Sequence, residues 1–347
     1  MNKKPIQDLF QSRFSNKRIP LSIGIELTSR CNLNCRHCYI NKPSNDKAAF
    51  SSELSFKEID RITNEALKLG TLWIQISGGE PLLRDDFLDI YLSLKKKGFL
   101  ISVLTNGTLI SKEHIEVFKK YPPRSLEISI YGITQKTYEQ VTRTKGSLES
   151  FQRGFGLCHD NDFDIILKTV ASRLILPELD RIKDFSMQFK NVVLKIEDHL
   201  IPRIDRDLPQ KQSIEEQQAF VPENHKIFKE SDPSCKSAGH TSEFRGNLFS
   251  CNAGIYSCRI SSEGMVHLCT TLRNPKIAYD LKTGSLTDYW NREVPNILNL
   301  RSEDPGFKKG CGSCSKKDLC HWCPALSWIE TGEMDRKIKR ICLVNEK

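Results

Sequence analysis

Three cysteines, Cys31, Cys35 and Cys38, lie within the stretch "CNLNCRHC", directly after a strand-like run. A structural zinc site takes four ligands and disulfides take thiols in pairs, so a set of three suits neither. The C-x3-C-x2-C spacing could instead hold three corners of a 4Fe–4S cube and leave the fourth iron for a small ligand. The alternative, a zinc site that borrows His37, fits poorly because His37 lies between two of the cysteines.

The stretch "CNLNCRHCY" resembles the CxxxCxxC signature, with its following aromatic residue, of the radical S-adenosylmethionine (SAM) superfamily. The stretch "SGGEP" at 77–81 resembles the GGE motif of the same superfamily, and the resemblance covers about residues 20–200. It implies that the three cysteines hold a 4Fe–4S cluster whose fourth iron binds the amino and carboxylate groups of SAM. It also implies that SAM is cleaved reductively to a 5′-deoxyadenosyl radical.

The resemblance further implies a set of groups around SAM. Gly78, Gly79 and Glu80 would meet its amino group, because glycine permits a close backbone approach and a carboxylate pairs with an ammonium. Ser129 and Arg143 fall where related enzymes bind the ribose or carboxylate of SAM; the alternative is a strand hydroxyl and a helix-surface cation. The full set is Tyr39 (beside adenine), Gly78, Gly79, Glu80, Asn106 (alternatively only a turn residue), Ser129 and Arg143.

Eight further cysteines lie in the C-terminal part of the chain. Eight thiolates suffice for two fully ligated 4Fe–4S cubes, and equally for two Cys₄ zinc sites. Spacing alone does not decide between iron and zinc. The eight are Cys251, Cys258, Cys269, Cys311, Cys314, Cys320, Cys323 and Cys342.

The order of these cysteines resembles the SPASM domain, an extension found on radical SAM enzymes that modify ribosomal peptides and proteins. Two residues separate Cys320 from Cys323, where the commonest pattern has three. Cys235 could replace Cys258 as a ligand, and Cys158 is expected to be a buried small hydrophobe. The resemblance implies that auxiliary cluster I is held by Cys251, Cys258, Cys269 and Cys323, and auxiliary cluster II by Cys311, Cys314, Cys320 and Cys342.

The elements that must position these residues alternate between strand and helix. Six strand-like runs, each followed by a helix-like run except the last, lie between residues 22 and 200. They predict an α/β fold with a parallel sheet, either a partial (β/α)₆ TIM-type barrel or a doubly wound sheet, and the resemblance selects the barrel. We expect an N-terminal extension (1–20), the barrel (21–200), a bridging region (201–250) and a small Cys-rich domain with two iron–sulfur clusters (251–347).

Composition and charge exclude several classes of protein. The chain has 347 residues and ordinary globular composition, and its net charge of +9 is scattered without a basic run. A secretory signal and an apolar run long enough to span a bilayer are both missing from the sequence, so we expect a cytoplasmic protein whose thiols stay reduced.

The sequence therefore indicates an enzyme that abstracts a hydrogen atom from a peptide, in the maturation of a ribosomally made peptide by crosslinking or oxidation. Its expected partners are the peptide, a low-potential electron donor of flavodoxin or ferredoxin type, and a separate leader-peptide-binding protein, because only about 20 residues precede the first strand. An oxidation would need a base, and Glu197, Asp198 and His199 follow the last strand. The alternative for these three is an ordinary polar loop end.

Two other functions remain as alternatives. Within the enzyme class, the chain would be a sulfatase-maturase-like enzyme or a small-molecule radical SAM dehydrogenase. From another class, it would be a zinc-ribbon protein that binds nucleic acid through its positive charge. Against this last interpretation, the basic residues are not concentrated among the C-terminal cysteines, and the sequence offers no evident aromatic stacking platform.

Overall fold

The computed structural model has six parallel strands at its centre and describes residues 18–40, 42–197, 203, 247–249, 251, 253–315, 322–339 and 342. All six strands lie where the sequence predicts them, and the α/β partial barrel is confirmed. A two-residue pair, β2 (Arg30–Cys31) and β3 (Lys42–Pro43), lies apart from the main sheet. The six strands are β1 (Ser22–Glu26), β4 (Trp73–Ser77), β5 (Leu100–Thr105), β6 (Ser125–Ser129), β7 (Ile165–Val170) and β8 (Val192–Glu197).

Helices connect successive strands and cover one face of the sheet. The second helix begins at a capping box, in which Ser55 and Glu58 bond each other's backbone N–H, and Gly70 (φ +91°) follows its end. The helices of the barrel are α1 (Lys47–Ser52), α2 (Phe56–Lys68), α3 (Phe87–Lys96), α4 (Lys112–Lys120), α5 (Gln135–Thr142), α6 (Ser147–His159) and α7 (Leu179–Met187). None of the described helices is both long and apolar enough to cross a membrane.

The two faces of the sheet differ sharply in polarity. Most residues under the helices are Ile, Val or Leu, and those of β1, β4, β5, β6 and β7 are at most 2% exposed, for example Ile23, Ile74 and Val103. Their alternating neighbours face the interior of the partial barrel, which we call the lumen. The apolar residues of the lumen face include Trp73, Leu104, Ile166 and Val193. Its more numerous small or polar residues are Gly24, Glu26, Gln75, Ser77, Ser102, Ser125, Glu127, Ser129, Lys168, Lys195 and Glu197. A polar inner face is unusual for a buried parallel sheet, and it leaves a space suited to a polar ligand.

The C-terminal region extends the same sheet, which the sequence did not predict. Strand β9 (Ser257–Ile260) pairs in parallel with β1, and β10 (Met265–His267) and β11 (Tyr279–Asp280) follow as antiparallel strands. The complete sheet has nine strands in the order β11-β10-β9-β1-β4-β5-β6-β7-β8. Four short helices complete the described region: α8 (Leu286–Asp288), α9 (Val294–Leu298), α10 (Pro305–Lys309) and α11 (Pro324–Thr331).

Candidate functional site

The loop that carries Cys31, Cys35 and Cys38 leaves the carboxyl end of β1 and is anchored to the end of α5. The backbone N–H of Asn34 donates to the carbonyl of Thr142 (3.0 Å), and that of Arg36 donates to Val141 (2.9 Å). The last carbonyls of a helix have no partner within the helix, so the loop satisfies them.

The other end of α5 is fixed by Glu178, a residue that the sequence analysis missed. Its carboxylate accepts hydrogen bonds from the backbone N–H of Ile133 (2.6 Å) and Thr134 (3.1 Å) and from the Thr137 hydroxyl (2.8 Å). Burial alone would raise the pKa of Glu178, but these hydrogen bonds outweigh it and lower the pKa to about 2. No local pattern marks a glutamate that caps a helix from forty residues further along the chain.

The glycines of the GGE motif lie against the backbone just before Cys31. The N–H of Gly79 donates to the carbonyl of Thr28 (2.8 Å), and that of Glu80 donates to Arg30 (2.9 Å). A Cβ on Gly78 would lie 2.3 Å from the Thr28 oxygen, and one on Gly79 would lie 2.2 Å from the Arg30 oxygen. Glycine is therefore required here for the approach of two protein backbones.

Glu80 is fully buried, and its carboxylate is engaged by the protein itself. One oxygen accepts from the Leu82 N–H (3.1 Å) and the Thr105 hydroxyl (2.7 Å), and the other accepts from the Asn106 N–H (2.7 Å). Burial raises the pKa of Glu80 to about 7, although the three hydrogen bonds act in the opposite direction. In this arrangement Glu80 joins the ends of β4 and β5 beneath the cysteine loop.

Asn106 connects this junction to the first cysteine. Its side-chain nitrogen lies 3.7 Å from the sulfur of Cys31 and donates to Asn32 (2.9 Å), and its side-chain oxygen accepts from the Thr108 hydroxyl (2.6 Å). Asn32 in turn donates to Thr108 (2.8 Å). Asn106 is thus part of a closed hydrogen-bond network, of which the sequence analysis missed Asn32 and Thr108.

A buried ion cluster holds the base of the loop. Arg30 donates to both carboxylate oxygens of Glu53 (2.7 and 3.3 Å), and Arg84 approaches the same carboxylate (3.7 Å). Arg84 also donates to the carbonyls of Leu27 (3.0 Å) and Leu54 (2.8 Å). Satisfying several buried groups in this way makes the loop's starting point well defined.

The three thiols of the loop are buried or half-buried and lie within electrostatic reach of one another. Cys31 and Cys38 both influence Cys35 electrostatically, which places the three thiols close together. Burial, and then the charge of Glu80, raise the pKa of Cys31 to about 12; burial and the two neighbouring thiols raise the pKa of Cys35. Within the described residues no group of three or more His, Cys, Asp or Glu side chains is arranged around a single metal ion, whereas ligands of a cube bind separate irons.

The two ring-bearing residues of the cysteine loop, His37 and Tyr39, have different neighbours. The ring centroid of His37 is 5.3 Å from that of Tyr131, and burial lowers the pKa of His37 to about 4, so it carries no charge at neutral pH. Tyr39 lies half-buried near Glu26 and Arg273, which form an ion pair between β1 and the C-terminal region; burial raises the pKa of Tyr39.

Ser129 and Arg143 lie on different elements: Ser129 is the last residue of β6, and Arg143 follows the last residue of α5. The Ser129 hydroxyl, at the end of β6, lies beside the Tyr131 phenol. Arg143 is exposed directly after α5, with left-handed backbone angles (φ 50°, ψ 30°). Gly146 is the N-cap residue of α6 and separates this helix from α5. Arg143 therefore follows the residue whose carbonyl anchors the cysteine loop.

Of the three candidate bases, Glu197 lies at the end of β8 on the lumen face. Its carboxylate is 3.6 Å from the Lys168 ammonium, which also lies 3.2 Å from Glu127. Asp198 and His199 lie outside the described residues. The structure thus gives Glu197 a cationic partner that the sequence did not predict.

Of the C-terminal cysteines, Cys251, Cys269 and Cys323 influence one another electrostatically and form one group. The sulfur of Cys323 accepts from the Leu326 N–H (3.4 Å) at the start of α11, but burial raises its pKa to about 11. Cys258 acts electrostatically on the same Tyr289 phenol as Cys269 does. It is fully buried on β9, within the apolar core beside Tyr289.

The remaining cysteines are placed only in part. Cys311 and Cys314 lie at either end of a single helical turn, in which the Cys314 N–H donates to the Cys311 carbonyl (3.4 Å). Cys342 is half-buried, and Cys158 is buried in the barrel core as predicted. Cys235 and Cys320 lie outside the described residues.

Comparison with known proteins identifies the class. Residues 25–183 match the family model of the Radical SAM superfamily, so this part of the chain is a radical SAM domain, which uses a 4Fe–4S cluster and SAM. The chain is accordingly an enzyme that carries a radical SAM domain.

Three particular proteins are similar to it. The AdoMet-dependent heme synthase of Methanosarcina barkeri is 26% identical over 90% of this chain and 94% of its own length. The antilisterial bacteriocin subtilosin biosynthesis protein AlbA of Bacillus subtilis is 26% identical over 88% of this chain and 71% of its own. Streptococcus suis SuiB, solved with S-adenosylmethionine, shares the fold with a TM-score of 0.65 at 18% identity, over 97% of this chain and 80% of SuiB.

Proposed function

We propose that this radical SAM enzyme modifies a peptide, by crosslinking or oxidation, during the maturation of a ribosomally made peptide. The observation that carries the proposal is the junction of the cysteine loop, Glu80 and Asn106 at the mouth of a polar lumen. This junction places the three thiols at the carboxyl ends of the strands, where parallel α/β folds bind their ligands.

Several residues would hold the cofactors. Cys31, Cys35 and Cys38 would bind the cluster, and the backbone around Gly78 and Gly79 would lie next to SAM. Tyr39, Ser129 and Arg143 would contact the adenosine and carboxylate parts of SAM. When bound, the cluster and SAM supply a radical that removes a hydrogen atom from an unactivated C–H bond. The chain's own contribution is to orient the reactants and exclude water.

The C-terminal region would hold two auxiliary 4Fe–4S clusters. The proximity of Cys251, Cys269 and Cys323 supports one of them. Cys311, Cys314, Cys320 and Cys342 would hold the second. We accordingly propose the division into a barrel (21–200), a bridge (201–250) and an auxiliary-cluster domain (251–347), preceded by an N-terminal extension (1–20).

A peptide substrate is supported by two relatives and by the shape of the lumen. SuiB has also been solved with its precursor peptide SuiA, and AlbA acts in bacteriocin biosynthesis. In this chain the lumen face of the edge strand β8 is exposed at Val193, Lys195 and Glu197. An open edge of this kind admits an extended chain from the side. A low-potential electron donor and a leader-peptide-binding protein would be the partners.

A tetrapyrrole substrate is the second candidate. The heme synthase aligns over almost its whole length, more completely than AlbA does. Such a substrate would occupy the same lumen without an additional leader-binding protein. In either case, if the substrate radical is oxidised, Glu197 would be a base, with Asp198 and His199 as the other candidates.

SAM cleavage by the anaerobically purified protein tests the proposal. The reduced wild-type protein should contain iron and sulfide and form 5′-deoxyadenosine from SAM. Cys35→Ala should abolish this product while the iron bound by the C-terminal region remains. A colourless, zinc-containing wild-type protein that leaves SAM intact would contradict the proposal. Conversion of a candidate precursor peptide, compared with that of a porphyrin, distinguishes the two substrates.

A further inference from the structure

Among the described residues, the lumen contains a half-buried cation without a partner, whereas Lys195 on the edge strand β8 is exposed to solvent. Arg273 is paired with Glu26, and Lys168 with Glu127. Arg259, on the lumen face of β9, forms no hydrogen bond or ion pair with any residue in the described ranges, although it is half-buried. A guanidinium partly removed from water without a partner is unfavourable, so an anion is expected to complete this position.

The direction of the Arg259 side chain follows from its contacts with Gly24 on the neighbouring strand. Gly24 is paired with Arg259 across β1 and β9, and it faces the lumen. A Cβ on Gly24 would lie 1.9 Å from Nη1, 2.6 Å from Cδ and 2.8 Å from Cζ of Arg259. The side chain therefore crosses over β1 and carries its guanidinium into the lumen. The absence of a side chain at Gly24 makes this position possible.

A second polar group, His267, lies beside Arg259. It is on β10, directly opposite Arg259 in the antiparallel pair and hence on the same face of the sheet. Its Nδ1 atom is buried and has no hydrogen-bond partner in the part of the chain that the structure describes, and the residue is 6% exposed. Buried side-chain nitrogens are normally bonded, so this one indicates a missing ligand.

The charge of Arg259 reaches the part of the lumen that adjoins the SAM site. It acts on Glu26 and on Tyr39, the aromatic residue of the cysteine loop. Glu26 is already bonded to Arg273, so it is not the missing partner of Arg259. The vacant bonding capacity of Arg259 therefore faces the space that a substrate would enter.

We propose that Arg259, with His267 beside it, binds a carboxylate of the substrate in the lumen. The inference rests on the proposed function, and it adds that the substrate is acidic where it enters the barrel. A guanidinium binds a carboxylate through two parallel hydrogen bonds, a geometry that lysine cannot reproduce. In a peptide the carboxylate would be an Asp or Glu side chain or the C-terminus.

Arginine-selective labelling of the holoenzyme tests this inference without knowledge of the full substrate. The protein is treated with phenylglyoxal and the rate of modification at Arg259 is followed by mass spectrometry. N-acetylglutamate α-amide, a side-chain carboxylate, or N-acetylglycine, a terminal carboxylate, should slow this modification severalfold. N-acetylglutamine amide is the neutral control and should not. Whichever carboxylate protects better identifies the source.

A second measurement compares variants with the wild type by the dissociation constant of the carboxylate that protects Arg259. Arg259→Lys keeps the charge but loses the fork, and Gly24→Ala displaces the guanidinium, whose flexible end can move without unfolding the strand. Each should weaken binding about tenfold or more. Arg124→Gln, at the opposite end of the barrel, should bind as the wild type does.

Equal modification of Arg259 with and without carboxylates, or equal binding by Arg259→Lys and the wild type, would overturn the inference. Formation of 5′-deoxyadenosine by the wild type is measured in parallel. If that product forms but carboxylates do not protect Arg259, the inference fails and the proposed function stands. If no product forms, the proposed function fails, whatever the labelling result.

Discussion

The substitution Gly79→Ala, which adds one methyl group, tests the contact between the GGE segment and the cysteine loop. The added Cβ would lie 2.2 Å from the Arg30 oxygen, whereas ordinary contacts begin at 3.4 Å, so the two segments must separate by about 1.2 Å (3.4 − 2.2). Both atoms are fixed to backbone, and a side-chain rotation cannot relieve the clash.

This separation breaks the Gly79–Thr28 and Glu80–Arg30 hydrogen bonds. At about 1 kcal/mol for each bond, with a further cost for the buried groups left unpaired, we expect a destabilisation of about 2–4 kcal/mol. Arg30 directly precedes Cys31, so the first thiol moves relative to Glu80 and Asn106. A misplacement of about 1 Å can slow a reaction about a hundredfold, and we expect SAM cleavage to fall on that scale.

Gly156→Ala is the matched control. Gly156 lies within α6, where an added Cβ would meet no described atom within 4 Å, and its φ is not positive. Alanine there should be neutral or stabilise the protein by up to about 1 kcal/mol. Anaerobic denaturant unfolding and 5′-deoxyadenosine assays compare the two variants. If Gly79→Ala unfolds at the same denaturant concentration as Gly156→Ala and cleaves SAM equally fast, the assigned contact is wrong.

Two other predictions concern Glu178 and the C-terminal cysteines. Because the pKa of Glu178 is lowered from 4.5 to about 2, its contribution to stability is fully present above pH 4.5 and is lost as the pH falls toward 2. Glu178→Gln should therefore be less stable than the wild type at pH 7 by about 1–3 kcal/mol, a difference that denaturant unfolding should show shrinking below pH 4.5; a constant difference would refute the charge argument. Cys258→Val should retain the iron and sulfide of the C-terminal region, with less than about 1.5 kcal/mol change in stability, because Cys258 packs in the core. Cys269→Ser should lose C-terminal iron, and equal iron loss in both variants would make Cys258 a ligand after all.

The local parts of the fold could be predicted from the sequence. Short strand-like runs and a capping box such as Ser55–Glu58 depend on residues close in the chain, and all six strands were found. The pairing of Ser22 with Ser257 could not be predicted, since no local pattern specifies a partner 235 residues away. For the same reason the resemblance named Glu80 and Asn106 but not the bonds between them.

The additions made by the structure to the site are of the same long-range kind. Arg30, Glu53 and Arg84 read as ordinary surface charges in the sequence, and their burial together depends on the assembled loop. The position of the Arg259 side chain likewise depends on Gly24 of the neighbouring strand, a pairing that the sequence does not reveal.

The parallel pairing of β9 with β1 has a consequence for synthesis of the protein on the ribosome. Strand β1 emerges more than 200 residues before β9, which is one of its two neighbours. At about 5–20 residues per second, the unpaired edge of β1 waits for about 10 seconds or longer. During that interval it presents open backbone groups next to the future cysteine loop, and such an edge invites association with other chains. A high density of unfinished chains should therefore yield aggregates, and slower elongation, which lengthens the exposed interval, should yield less soluble enzyme.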